Sequence, residues 1–448
     1  MLSPAERRQK FWDVVRVGSG NFLAMYDFFV FGYFTTQIGK TFFPANSQLI
    51  SLMLLVMTFE SGYFMRPIGG LVLGAYMDRQ GRRPGLILTL GLMTFGTAVI
   101  AFTPGYATAG VLGPLLVMIG RLVQGFAAGV ELGGSSVYLS EIATPGNEGF
   151  YCSWQLASVQ LAAICAWLLG MGLYGIIPEG EVTRWGWRIP FLIGCLITPL
   201  IMVLRRSLKE TGEFEQQKHH PTTAEVLGIM VGNWKVVGQG IVLSSLTTTT
   251  FYFITAYLMT YTPTSGKQVL GFIIRDNLIV MLCVGCSNLF WLLAGGVLSD
   301  RIGRRRMLLA LTAADIVTAY PALSWLVSAP SLGRLLTVEL WLSFIFGMYN
   351  AAMIPFLIDI MPPLVRTCGF SLAFSCAAAL FGVATPAVSI ELVRVTGDPA
   401  MPGVWIIIRA TLALWAAVVA KPYSDPTPAP GPVAVWKILS RWSQTKRE

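Results

Sequence analysis

Charge is scarce in this chain. Asp, Glu, Lys and Arg together make up 12% of its 448 residues, where a soluble globular protein carries about 25%. So few polar side chains cannot clothe a water-exposed surface of this size, which excludes a soluble enzyme. Histidine is almost missing: His219 and His220 stand side by side in a polar stretch, so a membrane-embedded enzyme built on clustered histidines has no material. The seven cysteines are scattered singly, and the one close pair, Cys283 and Cys286, has neither a second pair nor a histidine beside it. Free thiols are expected, with no metal and no other cofactor. The chain has no G-x-x-x-x-G-K-[ST] loop, which argues against direct ATP drive. Period-2 alternation broken by turns every ten residues is also missing, which argues against a β-barrel. Residues 1–17 lack a short apolar core ahead of a small-residue cleavage site, so the first helix is expected to be an uncleaved anchor.

What the chain has instead is hydrocarbon. Hydrophobic residues make up 54% of it, in runs near 18–38, 50–76, 85–103, 110–140, 151–175, 187–205, 236–261, 276–298, 307–328, 335–360, 369–393 and 403–420. A spanning helix needs about 20 apolar residues. The runs therefore predict an all-α membrane protein of twelve transmembrane helices. The polar stretch from Arg205 to Lys235 divides them six and six. With both termini placed in the cytoplasm, inner segments hold 22 of the 32 Lys and Arg residues and outer segments seven, the bias by which positive charge stays inside. Basic residues in short stretches between apolar runs face lipid headgroups, and no nucleic-acid partner is expected.

The chain also repeats itself. Gly74-Ala75-Tyr76-Met77-Asp78-Arg79-Gln80-Gly81-Arg82-Arg83 recurs as Gly296-Val297-Leu298-Ser299-Asp300-Arg301-Ile302-Gly303-Arg304-Arg305, displaced by 222. A weaker echo, displaced by 218, sets Tyr138-Leu139-Ser140-Glu141-Ile142 against Phe356-Leu357-Ile358-Asp359-Ile360. A duplicated six-helix unit follows, with an N-terminal bundle over 1–205, a cytoplasmic linker over 206–235, a C-terminal bundle over 236–420 and a Pro-rich cytoplasmic tail over 421–448.

Two six-helix halves sharing a G-x-x-x-D-R-x-G-R-R loop resemble the major facilitator superfamily over nearly the whole chain. Gly20-Asn21-Phe22-Leu23 leading to Tyr26-Asp27-Phe28, with Met65-Arg66-Pro67-Ile68-Gly69, Gly120-Arg121-Leu122, Gln124-Gly125, Ser140-Glu141 and Gly149-Phe150, is similar to its metabolite:proton symporters. Gly129-Val130-Glu131-Leu132-Gly133-Gly134, Trp185-Gly186-Trp187-Arg188-Ile189-Pro190-Phe191, Thr247-Thr248-Thr249-Thr250-Phe251-Tyr252 and Phe346-Gly347-Met348-Tyr349-Asn350 resemble the bacterial citrate and tricarballylate carriers among them. The resemblance implies a multi-pass protein of the cell inner membrane, working as a monomer, that imports a tricarboxylate with protons by rocking its halves around a central site. The two G-x-x-x-D-R-x-G-R-R loops would act as gates. Relatives commonly carry glutamate three residues before Asp27, where this chain has Ala24; Glu60, on the second run, is expected to take over part of that role.

Ionisable residues inside spanning helices usually face a cavity or a partner. On the fourth run Arg121, Gln124, Ala128, Glu131, Ser135 and Tyr138 fall within an arc of roughly 100°. Arg121 offers a fork of donors matched to a carboxylate and is the first candidate substrate anchor, with Gln124, Arg66, Gln155, Thr248 and Asn350 as further candidates. Asp27, Glu131 and Glu60 are the candidates for proton coupling. The alternative for Arg121, Glu131 and Asp27 is an interhelical tether, and for Arg66 a structural or gate role. Glu339, Ser343, Phe346 and Asn350 share one face of the tenth run, either mirroring the fourth-run stripe or packing as core. Arg184, Trp185, Trp187 and Arg188 have the composition of an interfacial anchor. A dicarboxylate, a keto acid or a zwitterionic osmolyte is the rival cargo class. Arg409, in the middle of the last run, departs from an expected clean apolar helix.

Overall fold

The computed structural model describes residues 3–43, 48–217, 221–258 and 274–423. His219, His220 and most of the tail lie outside the described residues. Within them there is no strand. Twelve spans follow the twelve apolar runs. The first six are Pro4–Tyr33, continued by Thr35–Phe42, then Gln48–Gln80, Arg82–Phe102, Leu112–Ile142, Glu148–Ile176 and Arg188–Arg206. The second six are Trp234–Tyr252, Ile274–Ile302, Arg304–Ser328, Leu332–Ile360, the pair Arg366–Ala377 and Ala384–Thr396, and Pro402–Val419. Among the described residues nine helices are long and apolar enough to cross a membrane. A tenth is obtained if the bent pair Thr223–Gly232 and Trp234–Tyr257 is counted as one. The two remaining spans are the first and second, which carry Asp27, Glu60 and Arg66.

Lipid offers little hydrophobic drive for helices to associate, so contact rests on close packing of small residues. The second and fourth spans show how. A Cβ at Gly129 would strike the Arg66 carbonyl oxygen, and one at Gly125 the Gly62 carbonyl oxygen. Glycine at both points lets the two backbones touch and fixes where Arg66 stands. Phe95, Leu196, Leu200, Val203, Val317 and Trp415 project outward from the bundles, the apolar exposure that hydrocarbon accepts. Polar ends are capped locally: the Ser3 hydroxyl accepts from the Glu6 amide at 3.2 Å while the Glu6 carboxylate accepts from the Ser3 amide at 2.7 Å, a capping box.

The repeated loops turn at Gly81 and Gly303, whose φ angles of 110° and 99° lie where residues with a Cβ are strained. After the sixth span the chain returns to the first of these loops. Glu210 accepts from the backbone N–H groups of Arg82 at 3.0 Å and Arg83 at 3.1 Å, at the start of the third span. Thr223–Gly232 forms a helix within the 206–235 stretch, capped by Thr222 and Glu225.

Two expectations are corrected. Arg205, assigned to the polar stretch, is fully buried inside the first bundle. Trp187 and Arg188 are no surface anchor either: Trp187 is fully buried, and Arg188 donates to the carbonyls of Ala101 at 3.1 Å and Thr103 at 2.9 Å, capping the third span. Trp185 alone of these aromatics stays exposed.

Candidate substrate site and gates

Between the bundles lies a cavity of about 60 Å³, room for a few water molecules. Its lining draws on both halves, with Phe28, Tyr63, Arg66 and Gln160 from the first and Thr247, Thr248, Tyr252 and Phe346 from the second. Of the substrate candidates, Arg66 and Thr248 line it directly. Arg66 is 6% exposed, and its guanidinium lies 4.2 Å from the Tyr63 ring centre and 4.8 Å from that of Phe28. Tyr63 meets Tyr252 of the seventh span edge-on, with ring centres 5.7 Å apart. Thr248 donates to the carbonyls of Ser245 at 3.2 Å and Ala377 at 3.3 Å.

Arg121 stands behind this lining. Its guanidinium is 4.7 Å from the Phe28 ring centre and 4.3 Å from that of Phe31, so the single Phe28 ring contacts both arginines and its π-face offsets their charge. Arg121 Nη1 donates to Gln124 Oε1 at 3.0 Å, and Gln124 Nε2 donates to Thr97 Oγ1 at 2.9 Å. The Thr97 hydroxyl donates to Asp27 Oδ2. A relay of four side chains thus joins Arg121 on the fourth span to Asp27 on the first, through a threonine of the third that sequence reasoning missed. Asp27 keeps one buried oxygen, Oδ1, without a hydrogen-bond partner. Glu60 lies within electrostatic reach of both Arg66 and Arg121, and its Oε2 is likewise buried and unbonded. Asp27, Glu60, Arg66 and Arg121 therefore form one charge cluster beside the cavity.

The fourth-span stripe divides at this point. Glu131 faces away from the cluster and forms an ion pair with Arg205 of the sixth span, while Thr89 of the third donates to it at 2.5 Å. Arg205 also donates to the carbonyls of Leu86 and Val17. Gly20 leaves the space the guanidinium fills, since any Cβ there would meet it. Gln155 is bound up within the same bundle: its carbonyl accepts from Asn21 Nδ2 at 2.8 Å, and its own Nε2 donates to Asn21 Oδ1 at 3.5 Å. In the second bundle Asn350 accepts from the Thr247 hydroxyl at 2.8 Å and donates to the Phe346 carbonyl at 2.7 Å, one residue behind the cavity wall. The expected departure at Arg409 is accommodated by aromatic contact. Its guanidinium lies 4.3 Å from the Phe381 ring centre and 4.7 Å from that of Trp405.

Both repeated loops close on the opposite bundle. Asp78 accepts from the backbone N–H groups of Thr367 at 3.1 Å and Cys368 at 2.8 Å, at the start of the eleventh span. Asp300 accepts from those of Gly149 at 2.8 Å and Phe150 at 2.9 Å, at the start of the fifth. Each carboxylate thus sits on the positive end of a helix and satisfies its free amides. Gly74 lies against the Cys368 backbone and Gly296 against that of Gly149, with no room for a Cβ at either. Arg82 pairs with Asp78 at 3.1 Å and Glu141 at 3.0 Å. Arg304 pairs with Glu148 at 2.9 Å and with Asp359. Arg83 donates to the Arg206 carbonyl at 2.7 Å and Arg305 to that of Ala417 at 3.1 Å, while Arg79 and Arg301 are exposed. The carboxylate echo Glu141 and Asp359 thus supplies an ion-pair partner to the matching arginine of each repeated loop.

Comparison with known proteins agrees with this architecture. A citrate-proton symporter of Salmonella typhi is 54% identical over 415 residues, which cover 92% of this chain and 95% of that protein. A citrate-proton symporter of Klebsiella pneumoniae is 52% identical over 403 residues, 90% of each chain. The solved proton:xylose symporter XylE, bound to 6-bromo-6-deoxy-D-glucose, matches with a TM-score of 0.72 at 17% identity, covering 91% of this chain and 94% of its own, a likeness of fold. With the Major Facilitator Superfamily profile matching residues 17–386, the chain belongs to that superfamily of multi-pass membrane transporters and is a carrier rather than an enzyme.

Proposed function

We propose that this carrier imports citrate together with protons across the bacterial inner membrane by alternating access, with both termini and the repeated loops on the cytoplasmic side. The observation that carries the reading is the cluster of Asp27, Glu60, Arg66 and Arg121 beside a cavity shared by the two bundles. Its charges balance while both acids are ionised, leaving little to hold an anion. Once Asp27 and Glu60 take up protons, two guanidiniums face the site uncompensated and an acidic substrate completes the balance. Proton release on the inside restores the neutral cluster and expels the anion. This order of events makes the proton a condition of binding, which is what coupling requires.

In this scheme Arg121 and Arg66 hold the substrate carboxylates, Gln124 orients Arg121, and Thr248 and Asn350 close the site from the second bundle. Asp27 and Glu60 carry the protons. Glu131, paired with Arg205, serves as a tether of the fourth span to the sixth, and Gln155 locks the first span to the fifth. Asp78, Arg82, Asp300 and Arg304, with the glycines and outer arginines of their loops, hold the cytoplasmic side shut and release it in alternation. The carrier works as a monomer, since one chain supplies every group named. Moving one charge through 100 mV is worth about 2.3 kcal/mol, so a trianion driven against an inside-negative potential costs roughly 7 kcal/mol, and protons must accompany it.

The test is labelled uptake into proteoliposomes with and without an imposed pH gradient, comparing citrate, tricarballylate and a dicarboxylate. Citrate uptake that requires the gradient is the expected result, with tricarballylate transport measuring how far the site depends on the substrate hydroxyl. A site indifferent to all three acids, or uptake indifferent to the gradient, would overturn the proposal.

A further inference from the structure

The protonation scheme leaves a charge unaccounted for. Two guanidiniums against a citrate trianion leave one net negative charge in the loaded carrier, even with Asp27 and Glu60 protonated. A further proton acceptor linked to the cavity would remove it, and the second bundle contains one. Glu339, on the tenth span, is fully buried. Both of its carboxylate oxygens are without a hydrogen-bond partner. Among the side chains described, which on the eighth span begin at Ile279, no charged group of the neighbouring fifth, seventh, eighth or ninth spans pairs with it or acts on it, Asp315 of the ninth span included.

The carboxylate stands at the end of a polar row. Ser343 is one turn further along the same helix face, so the two side chains are neighbours. The Ser343 hydroxyl lies 2.8 Å from Asn288 Oδ1 and 2.8 Å from Ser287 Oγ. Asn288 Nδ2 donates across the bundle interface to Gln160 Oε1 at 3.3 Å, and Gln160 lines the cavity. Glu339 thereby stands one helical turn from a Ser343–Asn288–Gln160 row that reaches the cavity wall, with neither of its oxygens bonded to that row. The repeat adds an independent observation: the displacement of 218 that relates Glu141 to Asp359 also relates Arg121 to Glu339. The two halves thus present a cation and an acid at equivalent depths of equivalent helices.

We propose that Glu339 is an additional proton site of the transport cycle, loaded and emptied by water that reaches it from the cavity along the polar Ser343–Asn288–Gln160 row. This inference rests on the proton-coupled reading above. A proton suits the site better than a metal ion, because a hard cation takes several oxygen ligands whereas no second polar side chain is bonded to Glu339. The step is a simple protonation: the carboxylate takes H⁺ on the outside and gives it up on the inside, and no other bond changes.

The experiment uses the full chain in proteoliposomes with the membrane potential clamped at zero and the outside one pH unit more acidic. One coupled proton then contributes a tenfold factor to steady-state accumulation. Glu339→Gln is expected to lower citrate accumulation about tenfold and the measured proton-to-citrate ratio by one, while citrate–citrate exchange, which needs no net proton movement, stays within twofold. Glu339→Asp is expected to restore the ratio. An unchanged ratio and accumulation would overturn the proposal, and so would loss of exchange along with accumulation, which would mark Glu339 as structural. Accumulation that follows a sodium gradient in place of the pH gradient would also overturn it. Failure of the unaltered chain to accumulate citrate is a different result, visible before any variant is made, and would sink the underlying function.

Discussion

The two bundles spend their buried charge differently. In the first, every buried arginine has an assigned neighbour: Arg205 has Glu131, Arg82 has Asp78 and Glu141, and Arg66 and Arg121 share the Phe28 ring and lie near Glu60. In the second, Asp315 and Glu339 are fully buried with all four carboxylate oxygens unbonded, and Arg409 rests on aromatic rings. Helices built from one duplicated pattern have thus diverged into a half in which cations and acids, Asp27 and Glu60 among them, lie together, and a half whose buried acids stand apart from any cation among the described residues. A carrier of an anion with protons needs both, because charge-assisted donors bind the anion and uncompensated acids are the groups free to exchange a proton.

The largest effect that would break this contrast is at Arg121. Arg121→Gln keeps a hydrogen-bonding group of similar length but removes the charge and the fork. Citrate uptake at matched membrane abundance is expected to fall about thirtyfold or more, since losing one partner of a desolvated charged contact costs about 2–5 kcal/mol or more. Uptake within a few-fold of the unaltered chain would assign Arg121 to helix tethering and leave Arg66 as the sole anchor.

Next in size is the tether itself. Arg205→Met leaves Glu131 buried without its cation, and breaking such a pair costs about 3–5 kcal/mol. The expected readout is a lowered midpoint of thermal unfolding in detergent. The double variant with Glu131→Leu removes both charges and is expected to recover most of the loss, because an apolar replacement of a buried ion pair is often neutral. Additive losses in the double variant would show that Arg205 acts chiefly through the Leu86 and Val17 carbonyls.

Much of this was legible in the residues. The displaced loop repeat marked both loops that cross to the opposite bundle, and the 100° arc on the fourth run brought out Arg121, Gln124 and Glu131. The arc did not show that it would split, because helical periodicity gives a direction around one helix and not the identity of the neighbour there. Arg205 escaped for a related reason: it ends an apolar run beside Arg206, and such pairs ordinarily mark the water boundary. The space left by Gly20 on another helix is what draws it inward. Thr97 carried no signal at all, since a threonine in a spanning helix most often bonds its own backbone, as Thr97 also does to the Met93 carbonyl at 2.9 Å. Tyr252 belonged to a stretch already singled out and Tyr63 only to the second apolar run, yet their meeting across the cavity shows why aromatic rings flank Arg66.

A smaller effect is expected at Glu60, where the second acid of the cluster is half-buried. Glu60→Gln is expected to reduce gradient-driven citrate accumulation about tenfold for each pH unit imposed, the worth of one coupled proton, and to leave exchange in place. Unchanged proton-driven uptake would remove Glu60 from the coupling cluster and leave Asp27 alone in it.

The mildest test compares the two repeated loops in their proposed role as gates, and the chain carries its own reporters. Cys368 is fully buried and donates its amide to Asp78, and Cys152 is fully buried two residues beyond Phe150, whose amide Asp300 holds. Asp78 is 1% exposed and bonded to Arg82, whereas Asp300 is half-buried and has no ion pair of its own among the described residues. Removing the charge at Asp78 therefore leaves Arg82 and two helix amides short of a partner, while removing it at Asp300 frees two amides that water reaches more readily. Asp78→Asn is expected to speed maleimide labelling of Cys368 several-fold, and Asp300→Asn to speed that of Cys152 by a smaller factor. Equal gains would mean that the two gates open as one unit, with the duplicated loops sharing the load despite their different burial.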